Sequence, residues 1–401
     1  MSSDPSPQPR HDPRPGVCGV AIGQLEGWFA DRGEPSYRAR QVLDAAWRSD
    51  ARSFGEVLTL PAFVRRALDG SFRFDTLADT DIRVADAGLT EKRLHTLSDG
   101  RSIESVLMHY PARGGSRERH TLCISSQAGC AVGCPFCATG ELGFDRDLET
   151  AEILDQVRHA IRSLPDGKRL TNVVFMGMGE PLLNLDRVLE AVEALSDPVR
   201  GGIGARNITV STSGVVPGIR RLTAIGPRFT LAVSLHAARD ALRDVLVPLN
   251  RRWPVAEVVA AARDHARATG RRVSYEVTMI AGINDTPDDA EALIDLLSDE
   301  HAHVNLIPMN PVAHTPWEAS PMPVIERFAA RLEQAGIRTT IRRNRGQEIG
   351  AACGQLAAEH AGGPTPVTVA RRRERLVAES AAALRGERSA EASPIATVTG
   401  A

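Results

Sequence analysis

The sequence predicts an α/β fold whose main domain is a partial (β/α)6, TIM-like barrel. Between residues 121 and 335, six short apolar segments alternate with six segments of helical periodicity. Strands that alternate with helices form a parallel sheet with right-handed crossovers. Six repeats are fewer than the eight of a closed barrel, so we expect an open one. The predicted strands cover residues 121–125, 172–176, 207–212, 229–234, 274–280 and 303–308, with a last strand at 338–342. The predicted helices lie near residues 149–163, 186–196, 216–224, 254–269, 288–298 and 323–335.

The rest of the chain divides by composition and periodicity around this core. A leader rich in Pro, Ser and charge is expected to be disordered, and Cys18 is grouped with it as incidental. The segments are a leader at 1–16, a small helical domain at 17–78, a β-hairpin with a basic loop at 79–120, the core at 121–360, and a partly disordered extension at 361–401 with a short helix near 370–386.

Composition narrows the functional class. The chain has 401 residues, a hydrophobic content of 42% and a net charge of −2, so any nucleic-acid binding must come from local basic patches. No secretory signal and no apolar run of about eighteen residues is present, which predicts a cytoplasmic protein without a membrane segment. Six cysteines in so long a chain also favour a reducing compartment.

Three cysteines within eight residues, Cys130, Cys134 and Cys137, are the most informative motif. Glycine and proline between them allow a loop that turns all three sulfurs toward one centre. Thiolates select an iron–sulfur cluster, zinc or copper(I). Three thiolates on a four-iron cube leave one iron without a protein ligand. Cysteines that are merely buried or disulfide-bonded fit this tight spacing less well.

Other residues of chemical interest fall where predicted strands end, which is where parallel α/β folds bind ligands. Each of these strand ends taken alone is a weak signal, but together and beside the cysteine loop they indicate a pocket. Cys123 and Cys353 lie outside the loop, and residue type alone leaves open whether each is a packed or a reactive thiol. The strand-end candidates are Gly179, Glu180, Ser211, Ser234, Leu235, His236 and Asn310.

Longer strings resemble the bacterial ribosomal and transfer RNA adenine-C2 methyltransferases of the radical S-adenosylmethionine (SAM) superfamily. The resemblance runs from about residue 22 to residue 358. It is carried by the strings C-I-S-S-Q-A-G-C (123–130), C-A-T-G (137–140), M-G-M-G-E-P-L-L-N (176–184), S-T-S-G-V-V-P (211–217) and A-C-G-Q-L (352–356).

This resemblance implies a radical SAM barrel and a role for each matching position. Cys130, Cys134 and Cys137 would hold one [4Fe–4S] cluster, and the strand-end candidates would line the pocket for S-adenosylmethionine. Cys353 would carry the methyl group, Cys123 would resolve the covalent adduct and leave a disulfide, and Glu104 matches the family's proposed general base.

The resemblance also implies the reaction and its partners. Two molecules of S-adenosylmethionine would be used per turnover, because C2 of adenine is not a nucleophile and the cofactor must carry the hard step. The substrates would be an adenine of 23S rRNA at the peptidyl transferase centre and the adenine 3′ of the tRNA anticodon. A reducing electron donor such as flavodoxin or ferredoxin is implied, and we expect a monomer.

Basic residues offer several candidate RNA contacts, because folded RNA is gripped through its phosphates. For two of the groups, the N-terminal arginines and the strand-end arginines, a solvated surface is an equally good interpretation. The candidates are Arg38, Arg40, Arg48, Arg52, Arg65 and Arg66 of the helical domain, the loop at 113–119, and Arg342, Arg343 and Arg345 after the last strand.

Three alternatives remain open from the sequence. The first is methylation at C8 of the same rRNA adenine, as in the antibiotic-resistance relatives. The second is a radical enzyme that acts on a small molecule or peptide. The third is a zinc-binding RNA protein in which the three loop cysteines are structural.

Overall fold

The computed structural model describes residues 12–48, 50–112, 114–115, 117–298, 300–357 and 366–388. The disorder expected for residues 1–11 and 389–401 therefore falls outside the described residues, as do Arg113 and Ser116 of the basic loop. Over the described ranges, every helix is too short or too polar to cross a membrane.

Strands before and within the barrel join into one sheet. The strands of the described chain are β1 (Leu77–Ala85), β2 (Thr90–Leu97), β3 (Ser102–Tyr110), β4 (Arg119–Cys123), β5 (Gln127–Gly129), β6 (Phe144–Asp147), β7 (Asn172–Phe175), β8 (Ile208–Thr212), β9 (Thr230–Ser234), β10 (Val273–Met279), β11 (Ala302–Pro308) and β12 (Arg338–Ile341). Ten of them follow the order β1-β2-β3-β4-β7-β8-β9-β10-β11-β12, while β5 and β6 form a separate pair. Strands β1 to β4 pair antiparallel. From β4 to β12, the neighbouring strands of this ten-stranded sheet pair parallel.

The parallel strands form the predicted partial barrel. Within the described residues β12 pairs only with β11, so the barrel is open. Its strands are mostly buried, and in β8 and β10 apolar residues alternate with polar ones. The predicted hairpin is in fact a three-stranded meander, because β1 pairs with β2 along the whole of its length.

Helices connect the barrel strands and cover them from outside. The α-helices are α1 (Ile22–Ala30), α2 (Tyr37–Arg48), α3 (Ala62–Ser71), α4 (Ala138–Leu142), α5 (Thr150–Ser163), α6 (Leu185–Ser196), α7 (Val216–Ile225), α8 (Asp240–Leu246), α9 (Val255–Thr269), α10 (Pro287–Leu297), α11 (Met322–Gln334) and α12 (Pro366–Leu384). The six helices predicted between strands are all present. Helices α4 and α8 are too short for their periodicity to identify them.

Cys18 shows that the N-terminal part is tied to the barrel. The side chain is fully buried, not part of a loose leader as expected. Its Sγ lies 2.8 Å from Asp155 Oδ1 and 3.0 Å from Arg158 Nη1, and both partners belong to α5. The Arg158 guanidinium also donates to the carbonyl oxygens of Ala46 and Phe74. Because a buried charge must keep its partners, this network fixes α5 against the helical domain.

A second polar network links α5 to the meander. His159 of α5 lies between two carboxylates, with Nδ1 2.7 Å from Asp79 Oδ1 and Nε2 2.9 Å from Asp75. Although burial disfavours the charged imidazole, the hydrogen bonds to Asp75 and Asp79 raise the pKa of His159 to about 9. Its neighbours are His95, whose pKa burial lowers, and Arg162, which pairs with Asp75. The network therefore stabilises the fold when His159 is protonated.

This network predicts a pH dependence of stability. A histidine whose pKa rises from 6.5 to about 9 on folding adds stability that is complete below pH 6.5 and is lost as the pH rises through 9. The shift corresponds to at most about 3 kcal/mol. We expect His159→Gln to lower the unfolding free energy at pH 6 by a few kcal/mol, and much less at pH 9. Denaturant unfolding of both proteins at the two pH values measures this, and an equal loss at both would contradict it.

Candidate active site

The three loop cysteines lie between β5 and α4. Two glycines allow the tight fold of this loop. Gly129 has a φ of +76° and an added Cβ would lie 2.0 Å from the carbonyl oxygen of Gly143. An added Cβ at Gly140 would lie 2.7 Å from the carbonyl oxygen of Cys134. The loop therefore closes on itself, and its three sulfurs line the same cavity.

Burial sets the chemistry of these thiols. It raises the pKa of Cys130 to about 12 and also raises the pKa values of Cys134 and Cys137. Three adjacent buried thiols become thiolates only where a metal cation balances their charge. Thiolates are the ligands that iron–sulfur clusters and zinc select, so this donor set fits the expected cluster.

The cavity lies at the carboxyl ends of the barrel strands and has a volume of about 170 Å³. It brings together most of the strand-end residues that the sequence singled out. The predicted residues that line it are Gly179, Glu180, Ser211, Ser234, His236, Asn310, Cys130, Cys134, Cys137 and Cys353.

Gly179 and Glu180 shape the wall that follows β7. Gly179 has a φ of +101°, and an added Cβ would lie 2.5 Å from Gln127 Cβ. The buried Glu180 carboxylate accepts hydrogen bonds from the Ser213 amide and hydroxyl, both at 2.7 Å, and from the Leu182 amide at 3.0 Å. Burial raises the pKa of Glu180 and these donors oppose the shift. Glu180 thus holds the loop after β8 in place at the cavity edge.

The adjacent wall is formed by the ends of β8 and β9. Ser211 and Ser234 place their hydroxyl oxygens 3.3 Å apart. His236 is neutral, because burial and then Arg243 lower its pKa to about 3. Its Nδ1 accepts from the Thr278 amide at 3.1 Å, which leaves the proton on Nε2. Leu235, in contrast to the expectation, is fully buried in the core and does not line the cavity.

Cys353 reaches the cavity from the segment after β12. Asn310 Nδ2 donates to the Cys353 carbonyl oxygen at 2.9 Å. Hydrogen bonds from α4 also hold this segment, since the Ala138 amide donates to the Gly354 carbonyl at 2.6 Å and Thr139 Oγ1 donates to the Leu356 carbonyl at 2.6 Å. The cysteine loop and the Cys353 segment are therefore positioned as one unit.

Cys123 lies on β4, between Val106 of β3 and Val174 of β7. Burial raises its pKa to about 12. Cys123 and Cys353 line the same small cavity, together with Met176 and Arg342. The expected disulfide is not observed in this structure, in which all six cysteines of the chain are free thiols.

Glu104 is buried on β3 and lies outside the lining of the cofactor cavity. Its Oε1 is 2.8 Å from Lys92 Nζ, and its Oε2 accepts from the Ala357 amide at 2.9 Å. Burial raises the pKa of Glu104, opposed by Lys92. In this structure the carboxylate anchors the segment that follows Cys353.

Two arginines of the site were not recognised from the sequence as parts of the cofactor pocket. Arg243 of α8 is fully buried, donates to the carbonyl oxygens of Leu235 and Ser213, and lies near Cys134. Arg342 lines the cavity, and the charges of Cys353 and then Glu276 raise its pKa. Only their place in the folded structure distinguishes them from the other arginines, so no local sequence signal would have identified them.

The wall beside Gly179 generates a testable prediction. Gly179→Ala combines an unfavourable positive φ with a backbone clash, so we expect it to displace the strand end and weaken S-adenosylmethionine binding at least tenfold. Gly282→Ala is the matched control, because Gly282 has a φ of +67° but open space around its Cβ. It should lose only about 1–2 kcal/mol of stability. Equilibrium dialysis with the labelled cofactor measures both, and equal binding by the two variants would contradict the assigned wall.

Comparisons with known proteins agree with this geometry. A family model described as the Radical SAM superfamily matches residues 124–297. A protein of Parafrankia sp. described as a probable dual-specificity RNA methyltransferase RlmN is 50% identical over 342 residues, which cover 82% of this chain and 87% of the relative. A protein of the same description from Saccharopolyspora erythraea is 49% identical, over 88% of this chain and 95% of the relative.

A solved structure is also similar. The radical SAM methyltransferase from Sphaerobacter thermophilus is 43% identical, with a TM-score of 0.83 over 86% of this chain and all of that one. Such identity over most of both chains shows that this chain belongs to the radical SAM superfamily and, within it, to the family of the RlmN proteins.

Proposed function

We propose that this protein methylates C2 of an adenine in 23S rRNA at the peptidyl transferase centre, and C2 of the adenine 3′ of the anticodon in tRNAs. The relatives described as dual-specificity RNA methyltransferases support an RNA substrate. One observation carries the proposal: Cys353, on a separate segment, lines the same cavity as the three loop thiols. A structural zinc site takes four ligands and could also use a fourth cysteine, so the match of residues 124–297 to the Radical SAM superfamily is what favours the cluster over zinc.

The three loop thiolates would hold the [4Fe–4S] cluster, and the strand-end residues that line the cavity would bind S-adenosylmethionine. When bound, these groups supply a one-electron reduction and a carbon radical that can attack an unactivated C–H bond. The neutral His236 offers an N–H donor without adding charge. Glu180 keeps the Ser213 loop in position, and Gly179 lets the backbone approach the cofactor.

Cys353 carries the methyl group and Cys123 releases the product. In the release step the Cys123 thiolate attacks Cys353 Sγ. The new S–S bond replaces the bond between that sulfur and the carbon now attached to adenine. That carbon keeps the electron pair of the broken bond and takes a proton, which completes the methyl group. Reduction of the disulfide by an external thiol or protein dithiol regenerates both residues. Arg342 lines the cavity of both cysteines, and its positive charge favours the thiolate of Cys123.

Glu104 removes the C2 proton in this proposal. Its Oε2 is now engaged by the Ala357 amide. The carboxylate therefore acts as a base only when the segment after Cys353 moves and frees that oxygen. Burial raises the pKa of Glu104, and a raised pKa makes a carboxylate a stronger base.

The division of labour between the cysteines is testable by substitution. We expect Cys353→Ala to keep the iron–sulfur absorbance and the reductive cleavage of S-adenosylmethionine but to abolish RNA methylation. Cys130→Ala should lose both, because a cluster ligand is gone. Cys18→Ser serves as the control and should keep both, since Cys18 contacts Asp155 and Arg158 of α5 and is not among the residues that line the two cavities of the site. Wild-type methylation by Cys353→Ala would contradict the carrier role.

The substrate assignment is tested by mass spectrometry of RNA from a deletion strain and a complemented strain. We expect 2-methyladenosine to disappear from 23S rRNA and from tRNA in the deletion and to return on complementation. Its retention in the deletion would reject the assignment. Loss of 8-methyladenosine instead would identify methylation at C8.

A further inference from the structure

A second large cavity occupies the opposite half of the barrel, at the amino ends of the parallel strands. We name it the lower cavity. Its volume is about 950 Å³, near the upper limit of typical ligand sites. Polar residues toward the amino ends of the strands line it, namely Thr121, Asn172, Thr209, Thr230, Ser274, His303 and Thr340. The lining is therefore polar where a barrel core is usually packed with branched apolar side chains.

The lower cavity is strongly positive. Glu276 is the acidic residue among the described residues that line it. Six arginines line it, namely Arg119, Arg271, Arg272, Arg342, Arg343 and Arg345. Within the described chain none of the six forms a salt bridge with a carboxylate. Burial and then the charges of Arg272 and Arg338 lower the pKa of His303 to about 4, which reflects the positive potential of this region.

The geometry of several side chains suits an incoming ligand. Arg119 and Arg345 place their guanidinium carbons 4.2 Å and 4.3 Å from the ring centroid of Tyr110. Thr121, which is more than nine-tenths buried, has a hydroxyl group without a hydrogen-bond partner in the described protein, and this hydroxyl can donate to a phosphate oxygen. The Nε of Arg271 also has no hydrogen-bond partner among the described residues. Unsatisfied buried polar atoms are costly, so they mark a place where a ligand supplies the partners.

The lower cavity adjoins the cofactor cavity. Met176, Glu276 and Arg342 line both of them. Arg342 Nη1 lies 3.9 Å from Met176 Sδ, and the same two residues line the small cavity that holds Cys123 and Cys353. A group bound in the lower cavity is therefore one layer of side chains away from the methyl-carrying thiol.

We propose that the lower cavity binds the phosphates that flank the target adenine of the RNA substrate. Guanidinium groups recognise phosphate oxygens in bidentate geometry. Six guanidinium groups are more than a single free phosphate needs. The continuity with the cavity of Cys353 suits an RNA strand in which one base is turned out toward the cofactor. The proposal rests on the proposed function, because it takes RNA as the substrate, and it adds the site that grips the strand.

The adjacent residues Arg271 and Arg272, at the start of β10, provide the test. We compare Arg271→Gln/Arg272→Gln with Arg220→Gln/Arg221→Gln, which removes the same charge from an adjacent pair on the exposed face of α7. Cluster-loaded proteins are titrated without oxygen against an anticodon stem-loop RNA at several salt concentrations. Loss of two contacts to single-stranded RNA should make the slope of log K against log salt less negative by about 1.4 and weaken binding about 10- to 30-fold at 0.1 M salt. The α7 variant should keep most of the wild-type slope.

Arg271→Lys/Arg272→Lys separates lost charge from damaged folding, because it should restore most of the slope. A Gln variant with the wild-type slope and affinity would overturn the proposal while the proposed function stands. If the wild-type protein binds no RNA, both this proposal and the proposed function fail.

Titration with inorganic phosphate and with adenosine monophosphate tests whether the lower cavity binds a free phosphate compound instead of RNA. Binding of either that depends on Arg271 and Arg272, with RNA binding unchanged, would show a free-nucleotide site and overturn the proposal.

Discussion

The hydrogen bonds between α4 and the segment of residues 353–356 are the contacts on which the site depends. The Ala138 amide has no partner inside its own helix, as is true of any first-turn amide. It donates instead to the Gly354 carbonyl, and Thr139 of the same turn donates to the Leu356 carbonyl. A short helix that begins at Ala138 therefore fixes the segment that brings Cys353 to the cavity. The three-cysteine loop and the Cys353 segment are held together by one backbone hydrogen bond and by one from the Thr139 side chain.

Charge inside the barrel is arranged in layers. Near the cysteine loop the buried Arg243 donates to the carbonyl oxygens of residues 213, 234 and 235, so one cation is balanced by backbone dipoles and by Asn250. In the middle layer Arg342 and Glu276 lie among the thiols and the methionine. Below it the arginines of the lower cavity lack carboxylate partners within the described chain. Such a gradient of positive potential suits a polyanion outside and thiolates inside.

The N-terminal helices and the meander are not independent additions to the barrel. Helix α5 contacts both through buried polar side chains. Its Asp155 and Arg158 form a network with Cys18, and its His159 hydrogen-bonds to Asp75. The meander also contributes Lys92 and Glu104, whose ion pair reaches the amide of Ala357. The position of the Cys353 segment thus depends on residues about 250 positions earlier in the chain.

Local patterns in the sequence determined the barrel strands, the helices between them and the cysteine loop, because period and residue spacing are set by neighbours along the chain. The strand-end residues Gly179, Ser211 and His236 were predicted for the same reason, since parallel strands bring their carboxyl ends to one edge. Only the tertiary structure decided that the Leu235 side chain is buried in the core and that the Glu104 carboxylate accepts a hydrogen bond from the Ala357 amide. It alone distinguished Arg243 and Arg271 from the arginines of the surface. Burial and partners of a charged side chain depend on residues far away in sequence, and these have no periodic signature.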